Sequence, residues 1–453
     1  MSENGLNKAD KVPFGQMVGY TVGGFGWEFL YSGIGIFAMY FLTDVALIGA
    51  VMAGVILLVA RFWDAFADLF VGYLSDHTKS RWGKRRPYLL FGAIPMGLFF
   101  FLFWQTPSLS PELRVVYYMV LMILTWTVYS VVNVPWSAML PDITSDYQER
   151  NKIVGAQRFF SMLGLLFVGV LTRPIAASFS SPQAGWANMA LIYGIVMIVF
   201  ALIPFFATRD RYASESSKYH FKDIFQLIGK NTPFLILCLV VACVFVVFTI
   251  SGIMMNYFFK YCLMDESLIS IAFLIGCGLG MLILPMWVLF SNKIGKKLAY
   301  ILGIAIYGSS YGALYFVYPT DSALMIPLCI FVAVGFAGVG IGMGSLLPDT
   351  VEYGEWKTGT RNEGLQYGLY TFVLKLATSI AAIIVGLGLH MSGYVANVEQ
   401  TAGSLMGIRV LMSIVPFGIA VIGVIILLFY PINGKMHAQM LRELQERKKG
   451  SLV

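Results

Sequence analysis

Charged side chains are what this sequence has least of. Only 12% of its 453 residues are Asp, Glu, Lys or Arg, where soluble domains carry roughly a quarter, so there is too little polar side chain to coat a water-facing globule. Histidine is scarce too, with four copies, and the five cysteines (Cys238, Cys243, Cys262, Cys277 and Cys329) form no CxxC pair. With no histidines near them, the cysteines indicate neither a metal site nor a disulfide framework and read as packing residues. His77, His220, His390 and His437 fall in loops or at the ends of apolar runs and receive no chemical role. The chain offers no nucleophile beside a base, no metal cluster and no soluble catalytic domain, so an enzyme is not expected. No organic cofactor is implied.

What the chain has is apolar length. Hydrophobic residues make up 58% of it, in runs of about 20 to 27 residues, the length that crosses ~30 Å of hydrocarbon at 1.5 Å per residue. Breaks at Pro, Gly and charge predict spans near 16–43, 47–75, 87–106, 114–140, 155–178, 186–207, 233–259, 267–291, 298–318, 325–347, 364–390 and 409–431. The expected fold class is therefore an all-α membrane protein of twelve transmembrane helices. The polar start, MSENGLNKADKVPF, leads into the first run without a small-residue cleavage site and reads as an uncleaved N-terminus.

The formal charge of +7 is spread over short loops and forms no continuous patch, which argues against a nucleic-acid partner. Of the 31 Lys and Arg, 24 lie in the N-terminus, the 2–3, 4–5, 6–7, 8–9 and 10–11 loops and the tail. Four flank the opposite side: Arg114, Arg173, Lys260 and Arg409. Positive residues stay cytoplasmic, so both termini are expected inside.

The two halves resemble each other. Ser75-Asp76 through Gly83-Lys84-Arg85 recurs as Ser291-Asn292 through Gly295-Lys296-Lys297, and Leu140-Pro141-Asp142 recurs as Leu347-Pro348-Asp349. Gly83 and Gly295 stand 212 residues apart, Leu140 and Leu347 207. This predicts two parallel six-helix halves as in major facilitator transporters, residues 1–207 and 233–431, joined by a cytoplasmic linker at 208–232 that includes Arg209 to Lys230. A cytoplasmic tail follows at 432–453. Its stretch from Met440 to Glu446, followed by Arg447, Lys448 and Lys449, reads as a solvated or headgroup-lying amphipathic helix rather than a docking site.

An ionised side chain inside hydrocarbon costs about 2.5 to 3.5 kcal/mol on insertion scales, so such groups face a cavity and one another. Within the spans stand Glu28, Asp64 and Asp68, against Arg61, Arg158 and Lys375. Arg61, Asp64 and Asp68 are spaced i, i+3 and i+7, within about 60° of one helical face. Two carboxylates one turn apart repel unless a cation lies between them, which is what a Na⁺ or H⁺ coupling site needs. Asn133 and Ser130 on span 4 and Thr371 on span 11 would add neutral oxygens for a hard cation. Arg61, Asp64 and Asp68 would alternatively form only an ion-paired joint between helices, and Arg158 would be a snorkelling surface residue. Glu28, flanked by Trp27 and Phe29, suits a carboxylate accepting sugar hydroxyls beside an aromatic face, with Trp126, Tyr129 and Trp136 as further ring candidates. Gly23-Gly24-Phe25-Gly26 and Gly276-Cys277-Gly278-Leu279-Gly280 read as sites of close helix packing and bending, not phosphate binding.

Several of these motifs, in this order, resemble the glycoside-pentoside-hexuronide:cation symporters, the melibiose-permease group. They are Tyr20 through Asp44, Leu58-Val59-Ala60-Arg61 with Asp64 and Asp68, Ser80-Arg81-Trp82-Gly83-Lys84, Arg158-Phe159-Phe160, and Asp349 through Lys357 with Lys375. The resemblance covers nearly the whole chain. It implies that Asp64 and Asp68 are cation-site carboxylates, that Glu28 and Arg158 are sugar-side residues, and that Lys375 lies near the cation site, with Thr371 one turn before it. That group carries aspartate at the positions of Glu28 and Asn133, so Na⁺ and H⁺ both stay open as coupling ion.

The expected function is symport of a sugar, glycoside or hexuronide with a monovalent cation, by alternating access, across a bacterial inner membrane. Membrane lipid is the surrounding partner, and no obligate protein partner is implied. The basic 2–3 and 8–9 loops and the Asp349–Lys357 segment are expected to form gate-closing ion pairs, with Asp142, Asp349 and Arg361 in structural or coupling roles. The alternatives are a carrier of an amphipathic substrate such as a lysophospholipid, a non-coupled sugar sensor, and a lipid scramblase.

Overall fold

The computed structural model describes residues 12–144, 146–208, 231–319, 324–360 and 362–450. Among them are twelve helices long and apolar enough to cross a membrane: α1 (Phe14–Val45), α2 (Ala50–His77), α3 (Arg86–Phe103), α4 (Pro111–Ile143), α5 (Gln148–Ala177), α6 (Pro182–Ala207), α7 (Thr232–Cys262), α8 (Leu268–Ile294), α9 (Lys296–Phe316), α10 (Met325–Thr358), α11 (Glu363–Met391) and α12 (Ala402–Leu428). A last helix, α13, spans Gly434–Gly450. The chain divides into two compact units, Met1–Ser217 and Lys218–Val453. Arg361 and the linker segment from Arg209 to Lys230 lie outside the described residues.

In the first unit small residues let helices close on one another, the means of packing available where water supplies no drive between apolar helices. A Cβ on Gly24 would stand 3.0 Å from the Gln157 carbonyl of α5, and one on Gly26 2.5 Å from Phe200 Cβ of α6. Gly97 of α3 meets the Gly194 carbonyl of α6 in the same way, at 2.8 Å. Trp104 and Trp186 stack at 5.1 Å and 8°, and Phe41 packs on both. In the second unit a glycine seam joins α9 to α10, where Gly303 and Gly338 face each other. Trp287 of α8 donates its indole N–H to the Val334 carbonyl of α10 at 2.8 Å.

The internal repeat is written into the backbone. α1 and α7 both finish in a π-helical turn, Phe41–Val45 and Phe258–Cys262, and two residues beyond each comes a left-handed residue, Leu47 and Met264. The loops after α2 and α8 both turn on a glycine with positive φ, Gly83 at 98° and Gly295 at 88°, a conformation that a Cβ would strain. In each unit a basic residue just past that glycine reaches the aspartate of the Leu-Pro-Asp motif. Arg85 binds Asp142 at 2.6 Å and Asp76 at 2.9 Å, and it also donates to the Ala138 carbonyl. Lys296 binds Asp349 at 2.7 Å.

Three expectations change. α10 continues to Thr358 instead of stopping near 347, so Asp349–Lys357 is helix rather than loop. α12 begins at Ala402, about two turns ahead of Arg409. The tail is not a solvated helix: Met440 is wholly buried and Leu444 nearly so, Trp356 donates to Glu443 at 2.6 Å, and Arg447 donates to the Trp356 carbonyl at 2.9 Å. His437, given no role from sequence, holds Glu352 at 2.7 Å in that docking. The apolar stripe of α13 is satisfied by the end of α10 in place of lipid headgroups.

Candidate transport site in the first unit

α2 has two faces of opposite character. Phe62, Phe66 and Phe70 are about half to two-thirds exposed, as lipid-facing residues should be, while Arg61 is 8% and Asp64 0% exposed. Asp68 is half-buried one turn on. The charges therefore point away from lipid, where hydrocarbon would penalise them. α4 lies along this face and is pinned by Trp63 donating to Thr127 at 2.8 Å.

Asp64 is held from two sides. Ser130 of α4 donates to Oδ1 at 2.9 Å, and Arg61 Nη1 donates to Oδ2 at 3.3 Å. A buried ion pair is retained only where its geometry offsets desolvation, and here the arginine has further support. Its Cζ lies 3.8 Å over the Trp126 ring and 4.6 Å over the Tyr31 ring, each contact worth about 0.5–2 kcal/mol. A carboxylate and a serine oxygen together are ligands that suit a hard monovalent or divalent cation. Asn133 is half-buried on α4 one turn beyond Ser130.

Glu28 sits opposite on α1. Its Oε2 accepts from Ser32 at 2.6 Å, and the positive charge of Arg158 on α5 acts on it. α5 reaches this point because Gly164 has no side chain: a Cβ there would fall 2.7 Å from the Phe25 carbonyl and 2.8 Å from Glu28 Cβ. Arg158 itself is exposed. Tyr31 stands edge-on to Trp126 at 6.1 Å and tilted to Tyr129 at 6.3 Å, so α1 and α4 share an aromatic corner between Glu28 and Asp64. Buried donors are nearly always satisfied, yet the indole N–H groups of Trp126 and Trp27 have no hydrogen-bond partner among the described residues.

The other ring candidates are used by the fold. Trp136 donates to the Tyr20 carbonyl at 3.1 Å, stacks on the Tyr20 ring at 5.3 Å and meets Trp27 edge-on at 5.4 Å, which fills the seam between α1 and α4. In the second unit the Thr371 hydroxyl donates to the Tyr367 and Gly368 carbonyls, and half-buried Lys375 presents its carbonyl to Thr378 and Ser379. Sequence reasoning missed Tyr31 and Ser32, although both lie three or four residues from Glu28 and hence on its face. It also missed Asp44, a buried acid in the π-helical turn of α1 that accepts from Thr43 at 2.7 Å.

The chain matches the model of the family described as MFS/sugar transport protein over residues 19–434. It is 33% identical to the isoprimeverose transporter of Lactiplantibacillus pentosus, over 96% of this chain and 92% of that one. It is 32% identical to the glucuronide carrier protein homolog of Escherichia coli K12, over 96% of each. Among solved structures it resembles the D323A mutant of the nucleoside transporter NupG, with a TM-score of 0.68 at 12% identity, covering 91% of this chain and 99% of that one, a likeness of fold.

Proposed function

Because this chain belongs to the MFS/sugar transport protein family and is a multi-pass membrane sugar transporter, we propose that it couples movement of a sugar or glycoside to a monovalent cation, Na⁺ or H⁺. The observation that carries this reading is Asp64, a wholly buried carboxylate in the middle of a membrane helix, with a hydroxyl on one oxygen and a displaceable guanidinium at 3.3 Å on the other. Asp68, Ser130 and Asn133 are the further cation ligands of the first unit. Cation binding removes the repulsion between the two acids and so favours the substrate-competent state, a coupling free energy shared by both ligands.

Glu28 accepts sugar hydroxyls, with Trp126 and Tyr129 supplying ring faces and the vacant Trp126 N–H supplying a donor. Arg158 bears on the same acid and suits an acidic sugar. Isoprimeverose and glucuronides, named for two relatives, define the range to test. Transport proceeds by alternating access in a bacterial cytoplasmic membrane with both termini inside.

The test is uptake into proteoliposomes of a neutral pentosyl glycoside, a glucuronide, a sulfonated hexose and a lysophospholipid, each with and without an inward Na⁺ or pH gradient. The reading expects accumulation of one of the sugars that collapses with its gradient. Gradient-independent equilibration of every sugar, or movement of the lysolipid alone, overturns it.

A further inference from the structure

The guanidinium of Arg61 serves two surfaces at once. Its contact to Asp64 is 3.3 Å, longer than the ~2.7–2.9 Å of a strong charge-assisted bond, while its Cζ lies within 3.8 Å of the Trp126 ring centre and 4.6 Å of the Tyr31 ring centre. Those rings stand at 89° to each other and form a corner. A planar, weakly hydrated cation fits such a corner in a way an ammonium does not. Trp126, whose N–H has no partner among the described residues, is a ring proposed above for the sugar, and Tyr31 adjoins both it and Tyr129. Arg61 therefore competes with a substrate for the rings and with a cation for Asp64.

We propose that Tyr31 and Trp126 are positioning residues that hold Arg61 on Asp64 as a tethered stand-in for the coupling cation, and that a sugar taking the ring faces releases it. This rests on the reading of Asp64 as the cation carboxylate. Without sugar, Arg61 keeps the cation off and suppresses leak. With sugar bound, Arg61 no longer competes with the cation at Asp64, and the two ligands bind with positive cooperativity because each displaces the same side chain. Tyr31 thereby sets the stringency of coupling.

The experiment measures half-saturating Na⁺, Li⁺ and H⁺ concentrations for thermal stabilisation of the purified full-length protein, with and without a saturating sugar from the uptake panel. Wild type, Tyr31→Leu, Tyr31→Phe and Arg61→Gln are compared. Tyr31→Leu is expected to tighten cation binding in the absence of sugar by about three- to tenfold and to shrink the effect of sugar by the same factor. Tyr31→Phe keeps wild-type behaviour, and Arg61→Gln, if it folds, abolishes the effect of sugar. A wild type whose cation affinity sugar improves, together with a Tyr31→Leu protein that shows unchanged or weaker cation binding without sugar, overturns the inference alone. A wild type indifferent to all three cations overturns the coupling reading beneath it.

Discussion

Ser130 donates its hydroxyl hydrogen to Asp64 Oδ1 across 2.9 Å, which ties α4 to a wholly buried carboxylate of α2. A hydrogen bond to a charged group contributes about 1.5–3 kcal/mol. Ser130→Ala should therefore weaken apparent cation affinity by about tenfold or more, measured as the cation concentration for half-maximal uptake, with Ser130→Thr close to wild type. An unchanged cation requirement in the alanine variant would remove Ser130 from the site.

Gly164 sets how closely α5 approaches Glu28. With 2.7 Å to the Phe25 carbonyl and 2.8 Å to Glu28 Cβ, even Gly164→Ala forces a shift, and overpacking of this kind costs about 1–3 kcal/mol. Its expected signature is a rise in the sugar concentration for half-maximal uptake larger than any change in the cation requirement. Equal effects on both would place the strain elsewhere.

Arg85 and Asp142 form a pair with both side chains about nine-tenths buried. Removing one partner of a buried pair costs about 3–5 kcal/mol, because the other charge is left uncompensated. Asp142→Asn should lower the melting temperature sharply, and Arg85→Met with Asp142→Leu should recover much of the loss. A double variant no better than the single one would show that the pair is not the cause.

The docked tail gives a prediction in pH. The Trp356 N–H and the Gln439 amide that donate to Glu443 hold its carboxyl below the ordinary range. A depressed carboxyl contributes stability in full above its unfolded value of about 4.3 and loses it as pH falls through the lower folded value. The Glu443 contribution to docking of α13 should therefore persist at neutral and mildly acidic pH and fade only in stronger acid. Spin labels at exposed Thr360 and Gln445 would report the separation. Glu443→Gln should loosen docking at neutral pH and flatten the acid transition, and identical wild-type and variant profiles would contradict this.

The charged wall of α2 and the internal repeat are legible in the sequence. Arg61, Asp64 and Asp68 stand out because a 20-residue apolar background makes each charge costly, and helical spacing alone puts them on one wall. The repeat was visible as short motifs, and the structure adds the left-handed glycines Gly83 and Gly295 that explain why those loops match. The docking of α13 was not legible, because Met440 and Leu444 at i, i+4 fit a headgroup layer as well as a helix end, and Trp356 and His437 lie 81 residues apart in sequence. Tyr31 escaped notice because aromatics form 15% of the chain, and only contact with Arg61 distinguishes this one.

The most direct test of the account is accumulation by the Asp64→Cys protein in proteoliposomes under an imposed cation gradient, set beside exchange of labelled for unlabelled sugar in the same vesicles. The account predicts that accumulation against a sugar gradient disappears while sugar exchange continues. An Asp64→Cys protein that still concentrates its sugar would contradict it.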